Sequence, residues 1–158
     1  MTGTALKRQT SRTLISDELH ARLAARIVED HGHSPALADR ILDQALAFLA
    51  ACAANAERPL APSELVDVGW HTFILHTREY AAFCERLAGR FIHHVPTGES
   101  DLAGHGDLAR ATLVRTVEAI ERLGLVVDKD LWPLGAANCQ KCTGCHNGCH
   151  DDPPPPPA

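Results

Sequence analysis

The chain of 158 residues has few aromatic side chains, no long hydrophobic run and no block of basic residues. Aromatic residues make up only 4% of it, whereas apolar residues make up 45%, and many of these are Ala and Leu. Ala and Leu lose little side-chain entropy in a helix, so they favour helical structure. The composition therefore predicts an all-α fold with one hydrophobic core.

These absences also exclude several classes of partner. A net charge of −5 without a basic patch makes nucleic acids and anionic membranes poor partners. No apolar stretch is long enough to span a bilayer, and residues 1–16 lack the hydrophobic region of a signal peptide. We therefore expect a cytoplasmic protein. Cytoplasmic thiols stay reduced, so the six cysteines are expected to be metal ligands or reactive thiols.

The order of apolar stripes and capping residues predicts three regions. Residues 1–15 are expected to form a flexible arm, and residues 16–133 a single small helical domain of four to five helices. Residues 134–158 are expected to be a disordered tail rich in Cys and Pro. The helix predicted to begin after Ser34-Pro35 is apolar on most of its surface, which is typical of a central helix.

The segment "VGWHTFILHTREYAAFCERLAGRFIHHVP", residues 68–96, concentrates aromatic, His and Cys side chains. In one unbroken helix, His71 and Cys84 would lie on roughly opposite sides of the axis. Thr77, followed by Arg-Glu, can cap a new helix. We therefore predict a helix break at His76-Thr77.

Such a break would bring two helix faces together. Asp67 and His71 lie four residues apart on the first face, and Tyr80 and Cys84 lie four apart on the second. These four side chains are then expected to share one locus.

The same residues resemble the core motif of the glycine-rich domain-containing protein (GRDP-like) family, known from plants and many bacteria. The pattern places Asp, Trp-His, Tyr, Cys, Gly and a final His at Asp67, Trp70, His71, Tyr80, Cys84, Gly89 and His93 or His94. The resemblance covers about thirty residues strongly. It implies a helical domain and no established reaction. The long glycine-rich region of the plant proteins is missing here.

Three interpretations of this segment stay open. In the first, the aromatic residues form core and His71 is a buried neutral histidine that is hydrogen-bonded to Asp67 or to a backbone carbonyl. In the second, His71, Cys84 and either His93 or His94 bind a metal, with Asp67 orienting His71. In an extended segment neighbouring side chains point to opposite faces, so only one of His93 and His94 can point inward.

The third interpretation is Cys–His catalysis. Cys84 would be the thiolate nucleophile, His71 its base and Asp67 the group that orients the base. No nucleophile elbow or oxyanion loop surrounds Cys84, and a thiol inside a helix is usually inert.

The richest set of metal ligands lies in the tail, "CQKCTGCHNGC". Its spacing is C-x2-C-x2-C-x3-C, with one histidine inside the run and one directly after it, and the six ligands are Cys139, Cys142, Cys145, Cys149, His146 and His150. Four thiolates, or three with one imidazole, complete a tetrahedral zinc site. Gly144 and Gly148 permit the tight turns that wrapping one ion demands.

Other interpretations of the tail remain. The spacing is also that of a bacterial ferredoxin run, which favours an iron–sulfur cluster, although His150 stands where that run has Pro. The "CTGCH" stretch has the form of a haem attachment motif, yet no export signal accompanies it. A loose, redox-active Cys/His tail is the simplest alternative.

The sequence therefore predicts a non-enzymatic protein that binds a metal, most simply zinc, and whose helical domain serves interaction or sensing. The alternatives are an enzyme centred on Cys84 and His71, or a purely structural or protein-binding module. In the last case the prolines of residues 153–157 would offer a polyproline ligand to a partner protein.

Overall fold

A computed structural model describes residues 9–94 and 106–134. Within these ranges the regular structure consists of five α-helices and two short 3-10 helices, and an isolated bridge between Gln9 and Leu125 is the only β-type pairing. The helices are α1 (Asp17–His31), α2 (Pro35–Ala54), α3 (Glu64–Leu75), α4 (Thr77–Ala88) and α5 (Gly106–Arg122). The predicted all-α domain of four to five helices is confirmed.

Capping residues set the ends of the first two helices. The Ser16 side chain accepts a hydrogen bond from the Leu19 amide, and α1 ends at Gly32, whose φ of 68° is left-handed. Ser34 caps α2 in the same way, with Pro35 at the first helical position. These caps satisfy backbone donors that would otherwise lack partners.

Helix α2 lies at the centre of the described domain. It contacts each of the other four helices and the short 3-10 helix Ser11–Leu14. Eleven of its twenty residues are buried, from Ala38 to Ala51. A helix that is apolar on most of its surface can be buried only by neighbours on several sides, which explains this position.

Gly69 lets α3 approach α2 at backbone contact. A β-carbon added at Gly69 would lie 2.8 Å from the Ala45 β-carbon and 3.1 Å from the Ile41 carbonyl oxygen. Real β-carbons are not found as close as 2.8 Å to another atom. The absence of a side chain at Gly69 therefore sets how closely α3 packs on α2, and with it the position of the adjacent Trp70.

The chain on either side of the helices packs against α2. The Ser11–Leu14 helix and the buried Ile15 lie in the stretch that the sequence assigns to a flexible arm. Gln9 donates to the Gly124 carbonyl at 2.9 Å and accepts from the Val126 amide at 3.0 Å. Residues 9–15 are thus held by contacts on both sides, and residues 1–8 lie outside the described ranges.

Gln44 ties the C-terminal part of the domain to α2. Its side-chain oxygen accepts from the Trp132 indole at 2.9 Å and the Asp128 amide at 3.1 Å, and its amide nitrogen donates to the Val126 carbonyl at 3.0 Å. Each polar atom of this buried side chain is therefore satisfied.

Every helix in the described part of the chain falls short of the length or the apolar character that crossing a membrane demands.

Candidate functional site

The helix break predicted within residues 68–96 is confirmed. Helix α3 ends at Leu75, His76 leaves the helical conformation with φ −88° and ψ 65°, and α4 begins at Thr77. Thr77 is already the first helical residue, so it is not the cap that the sequence predicted. His76 occupies that position without a side-chain capping bond.

The break brings Trp70 of α3 against Tyr80 of α4. The Trp70 indole donates to the Tyr80 hydroxyl at 2.8 Å, and that hydroxyl donates to the Ile92 carbonyl at 2.6 Å. Tyr80 is completely buried, and its ring meets those of Phe73 and Phe91 edge-on at about 5.2 Å between centroids. We call the Trp70–Tyr80–Ile92 chain of hydrogen bonds the aromatic network.

Cys84 lies one turn after Tyr80 and is wholly buried beside its hydroxyl. Burial raises the pKa of Tyr80; the indole of Trp70 opposes the shift and the Cys84 thiol adds to it. Burial also raises the pKa of the Cys52 thiol on α2 to about 12, against the opposing charge of Arg90. Tyr80 and Cys52 are therefore neutral at physiological pH, as packed core residues.

On the other side of Trp70 lies a more exposed group. His94 Nε2 donates to Asp67 Oδ1 at 2.7 Å, and the His94 ring packs on Trp70 with centroids 4.4 Å apart. His71 is exposed and reaches this group only through an edge contact of 5.6 Å with the His94 ring. Asp67 thus orients His94, not His71, and His71 is not the buried histidine of the first interpretation.

His93 points to solvent, whereas His94 points inward, as the alternation of an extended segment predicts. Trp70 separates the remaining predicted side chains into two sets, with Asp67, His71 and His94 on one side and Tyr80 and Cys84 on the other. The expectation of one common locus is therefore not met.

This separation bears on both chemical interpretations. Within residues 9–94 and 106–134, no group of three or more His, Cys, Asp or Glu side chains could hold a metal ion. The catalytic arrangement also does not form, because Cys84 lies in the core, His71 lies at the surface, and Asp67 is paired with His94. Of the three interpretations, the structural role of the aromatic core fits the geometry.

A second polar site, which the sequence analysis missed, lies across the domain. It is an open cleft of about 370 Å³ between the residues before α1, the helices α1 and α2, and the segment after α5. Its lining includes Arg12, His20, Asp39, Asp43 and Asp128.

His20 is the unusual residue of this cleft. It is 1% exposed, and neither ring nitrogen has a hydrogen-bond partner. Asp39 Oδ1 lies 3.6 Å from Nδ1, too far for a good hydrogen bond. Desolvation and, next, the charge of Arg12 lower the pKa of His20, against the opposing effect of nearby carboxylates. The ring is therefore a neutral imidazole.

The sequence held one signal for His20. Residues 20, 23, 24 and 27 follow helical spacing, and all four are buried. Leu19, the first apolar residue of α1, is by contrast only half-buried. A histidine that begins an otherwise apolar stripe is what would have pointed to this site.

The predicted ligands of the tail, from Cys139 to His150, lie outside the described residues. The tail's metal site therefore stays a prediction from spacing.

Comparison with models of protein families matches residues 9–106 to the family described as UCP032817-like. That stretch is more than half of the chain. No curated protein and no solved structure matches the chain. The match corrects the resemblance to the GRDP-like family, because the family that fits is a different one. The short Trp-His motif was too little sequence to distinguish the two.

Proposed function

The chain belongs to the UCP032817-like family, and on that premise we propose that it is a non-enzymatic metal-binding protein whose C-terminal segment holds zinc. The observation that carries this proposal is the density of soft ligands, four cysteines and two histidines within residues 139–150. Thiolate and imidazole are the ligands that structural zinc sites use.

The cysteines and His94 of the helical domain support the proposal, because they already have packing or hydrogen-bonding roles. The domain's cysteines, Cys52 and Cys84, are at least partly buried, and its histidine His94 is hydrogen-bonded to Asp67. These two thiols and His94 are thus used in packing and hydrogen bonding. The tail, in contrast, offers a metal ion four cysteines that are close in sequence.

Metal analysis of the full-length, untagged protein tests this proposal. We expect about one zinc ion per chain, as for a closed tetrahedral site. A variant with serine at positions 139, 142, 145 and 149 should lose the metal. Cys52→Ala serves as the matched control, since it removes a thiol from the helical domain, and it should keep the metal.

Substitution with cobalt identifies the ligands. Intense visible bands indicate tetrahedral thiolate coordination, and they should disappear in the four-serine variant. A metal-free wild-type protein that also fails to take up cobalt would contradict the proposal. Broad visible absorption of the protein as purified would instead support the iron–sulfur alternative for the same cysteines.

A protein-binding role is the second candidate, and the run of five prolines at residues 153–157 favours it. Such a run adopts the extended polyproline conformation that aromatic-lined grooves bind. Alanine replacement of the prolines should abolish binding to isolated SH3 or WW domains if this role is real. We place the protein in the cytoplasm, where its thiols would stay reduced and free to bind metal.

A further inference from the structure

We propose that the cleft around His20 binds a small molecule that carries an ammonium group. The proposal is independent of the tail and of its metal, because every residue that lines the cleft lies between Thr10 and Asp128. A cleft of about 370 Å³ falls in the size range of small-molecule sites.

The first observation is the unsatisfied imidazole. Buried polar atoms in folded proteins almost always have hydrogen-bond partners, yet both His20 nitrogens lack one. Gln44, which also lines the cleft, satisfies all its polar atoms, whereas the buried Ser11 hydroxyl beside Arg12 in the sequence lacks a partner, as His20 does. A donor supplied from outside the chain would satisfy the acceptor nitrogen of the neutral His20 ring.

The second observation is the charge of the lining. The lining holds two arginines, Arg12 and Arg40, and three carboxylates, Asp39, Asp43 and Asp128. Its net charge is therefore −1. Arg40 is already occupied, because it donates to both oxygens of Asp128 at 2.6 and 2.9 Å. The negative charge that remains favours a cation over an anion.

Asp39 is the carboxylate best placed to receive that cation. Asp43 already accepts from the Thr10 hydroxyl at 2.6 Å, whereas Asp39 makes only its long contact with His20. An ammonium group offers three N–H donors. Asp39 and the acceptor nitrogen of His20 can take two of them, and a charge-assisted bond to Asp39 would supply most of the affinity.

Access to the ring sets the order of contacts. His20 forms the closed floor of the cleft, whereas the side chains of Asp39 and Arg12 above it are 54% and 45% exposed. An incoming ammonium therefore meets Asp39 first. It reaches His20 when one of these exposed side chains changes rotamer.

Titration of the full-length protein with ethanolamine and putrescine tests the proposal, with acetate as the anionic probe. Nitrogen-15 NMR of the histidine rings follows His20, and calorimetry measures affinity. Both amines should shift the His20 ring resonances, and acetate should not. Asp39→Asn, at an exposed position that the fold tolerates, should weaken amine binding about tenfold or more, as loss of a charged hydrogen-bond partner does.

Glu85→Gln is the matched control, because it removes one negative charge from the exposed face of α4. It should leave affinity unchanged. Three results would overturn the proposal: amines that leave His20 unshifted at millimolar concentration, acetate that binds in their place, or Asp39→Asn and Glu85→Gln variants that bind amines equally. Equal binding by the two variants would mean that amines are attracted by the overall negative charge of the protein and not by Asp39.

Discussion

The aromatic network and the His20 cleft both place a polar side chain in the interior of one small helical domain, but they differ in what that side chain meets. The Tyr80 hydroxyl accepts from Trp70 and donates to the Ile92 carbonyl, so its bonding capacity is used within the chain. His20 is almost equally buried, yet neither of its ring nitrogens has a hydrogen-bond partner.

This difference separates two uses of buried polarity. A satisfied group such as Tyr80 contributes to a unique packing arrangement, because any other arrangement leaves donors and acceptors unpaired. An unsatisfied group destabilises the fold, and proteins often keep such a group where function requires it. The aromatic network within residues 68–96 therefore has a structural role, and the unsatisfied His20 is the observation on which the proposed binding site rests.

The largest change in the free energy of unfolding is expected when the Trp70 side chain is removed from the aromatic network. Trp70→Ala removes a large side chain that is 6% exposed, and it should lower the free energy of unfolding by about 3–5 kcal/mol through the cavity it leaves. Urea denaturation followed by circular dichroism measures this change. Leu75→Ala on the same helix is the control, since Leu75 is 62% exposed and its loss should matter little. Equal effects of the two variants would mean that Trp70 is not part of the core.

A smaller loss is expected when only the hydroxyl is removed. Tyr80→Phe leaves the Trp70 indole and the Ile92 carbonyl unpaired in the interior, which should lower the free energy of unfolding by about 1–3 kcal/mol. The same urea titration checks it. An unchanged stability would show that water replaces the hydroxyl, and the network would then not be closed to solvent.

The opposite sign is expected at His20. Replacement by Leu removes two unpaired buried nitrogens and keeps a similar volume, so His20→Leu should raise the free energy of unfolding by about 1 kcal/mol. The control His31→Leu, at an exposed position near the end of α1, should change it little. A clear loss of stability in His20→Leu would mean that the ring is hydrogen-bonded in solution.

The smallest effect is expected in the pH dependence. The pKa of His20 is lowered from its ordinary value of 6.5, so below about pH 6.5 the unfolded chain binds a proton that the folded chain does not. Stability should therefore fall as the pH drops from 6.5 towards the folded pKa. The charged groups that act on the ring are Arg12, Asp17, Asp39 and Asp43.

Comparison with His20→Leu isolates this contribution, because the other nine histidines remain in both proteins. The wild type should lose more stability than the variant over this pH range. Parallel stability curves would contradict a lowered pKa at His20.

Local signals in the sequence were enough for most of the fold. Ser16, Ser34 and Ser63 each cap the helix that follows, and the apolar surface of α2 predicted its central position. The break before Thr77 was also predicted, although the prediction relied on a common site of His71 and Cys84 that does not form. These features depend on neighbouring residues, which a sequence displays directly.

The candidate site was much less predictable. The pairing of Asp67 with His94 spans 27 residues, and nothing in the local pattern favours it over a pairing with His71 four residues away. The cleft around His20 combines side chains from four parts of the chain, separated by up to 118 positions from Thr10 to Asp128. Such groups meet only after tertiary packing, so their proximity has no local signature.

The close approach of α3 to α2 at Gly69 has a consequence for relatives of this chain. The interior has room there for one methyl group, and Ala45 occupies it. A family member with alanine at position 69 should therefore carry glycine at position 45, with a shift of a few tenths of an ångström around Ile41. Positions 45 and 69 should therefore covary, because the distance between α2 and α3 leaves space for a single β-carbon between them.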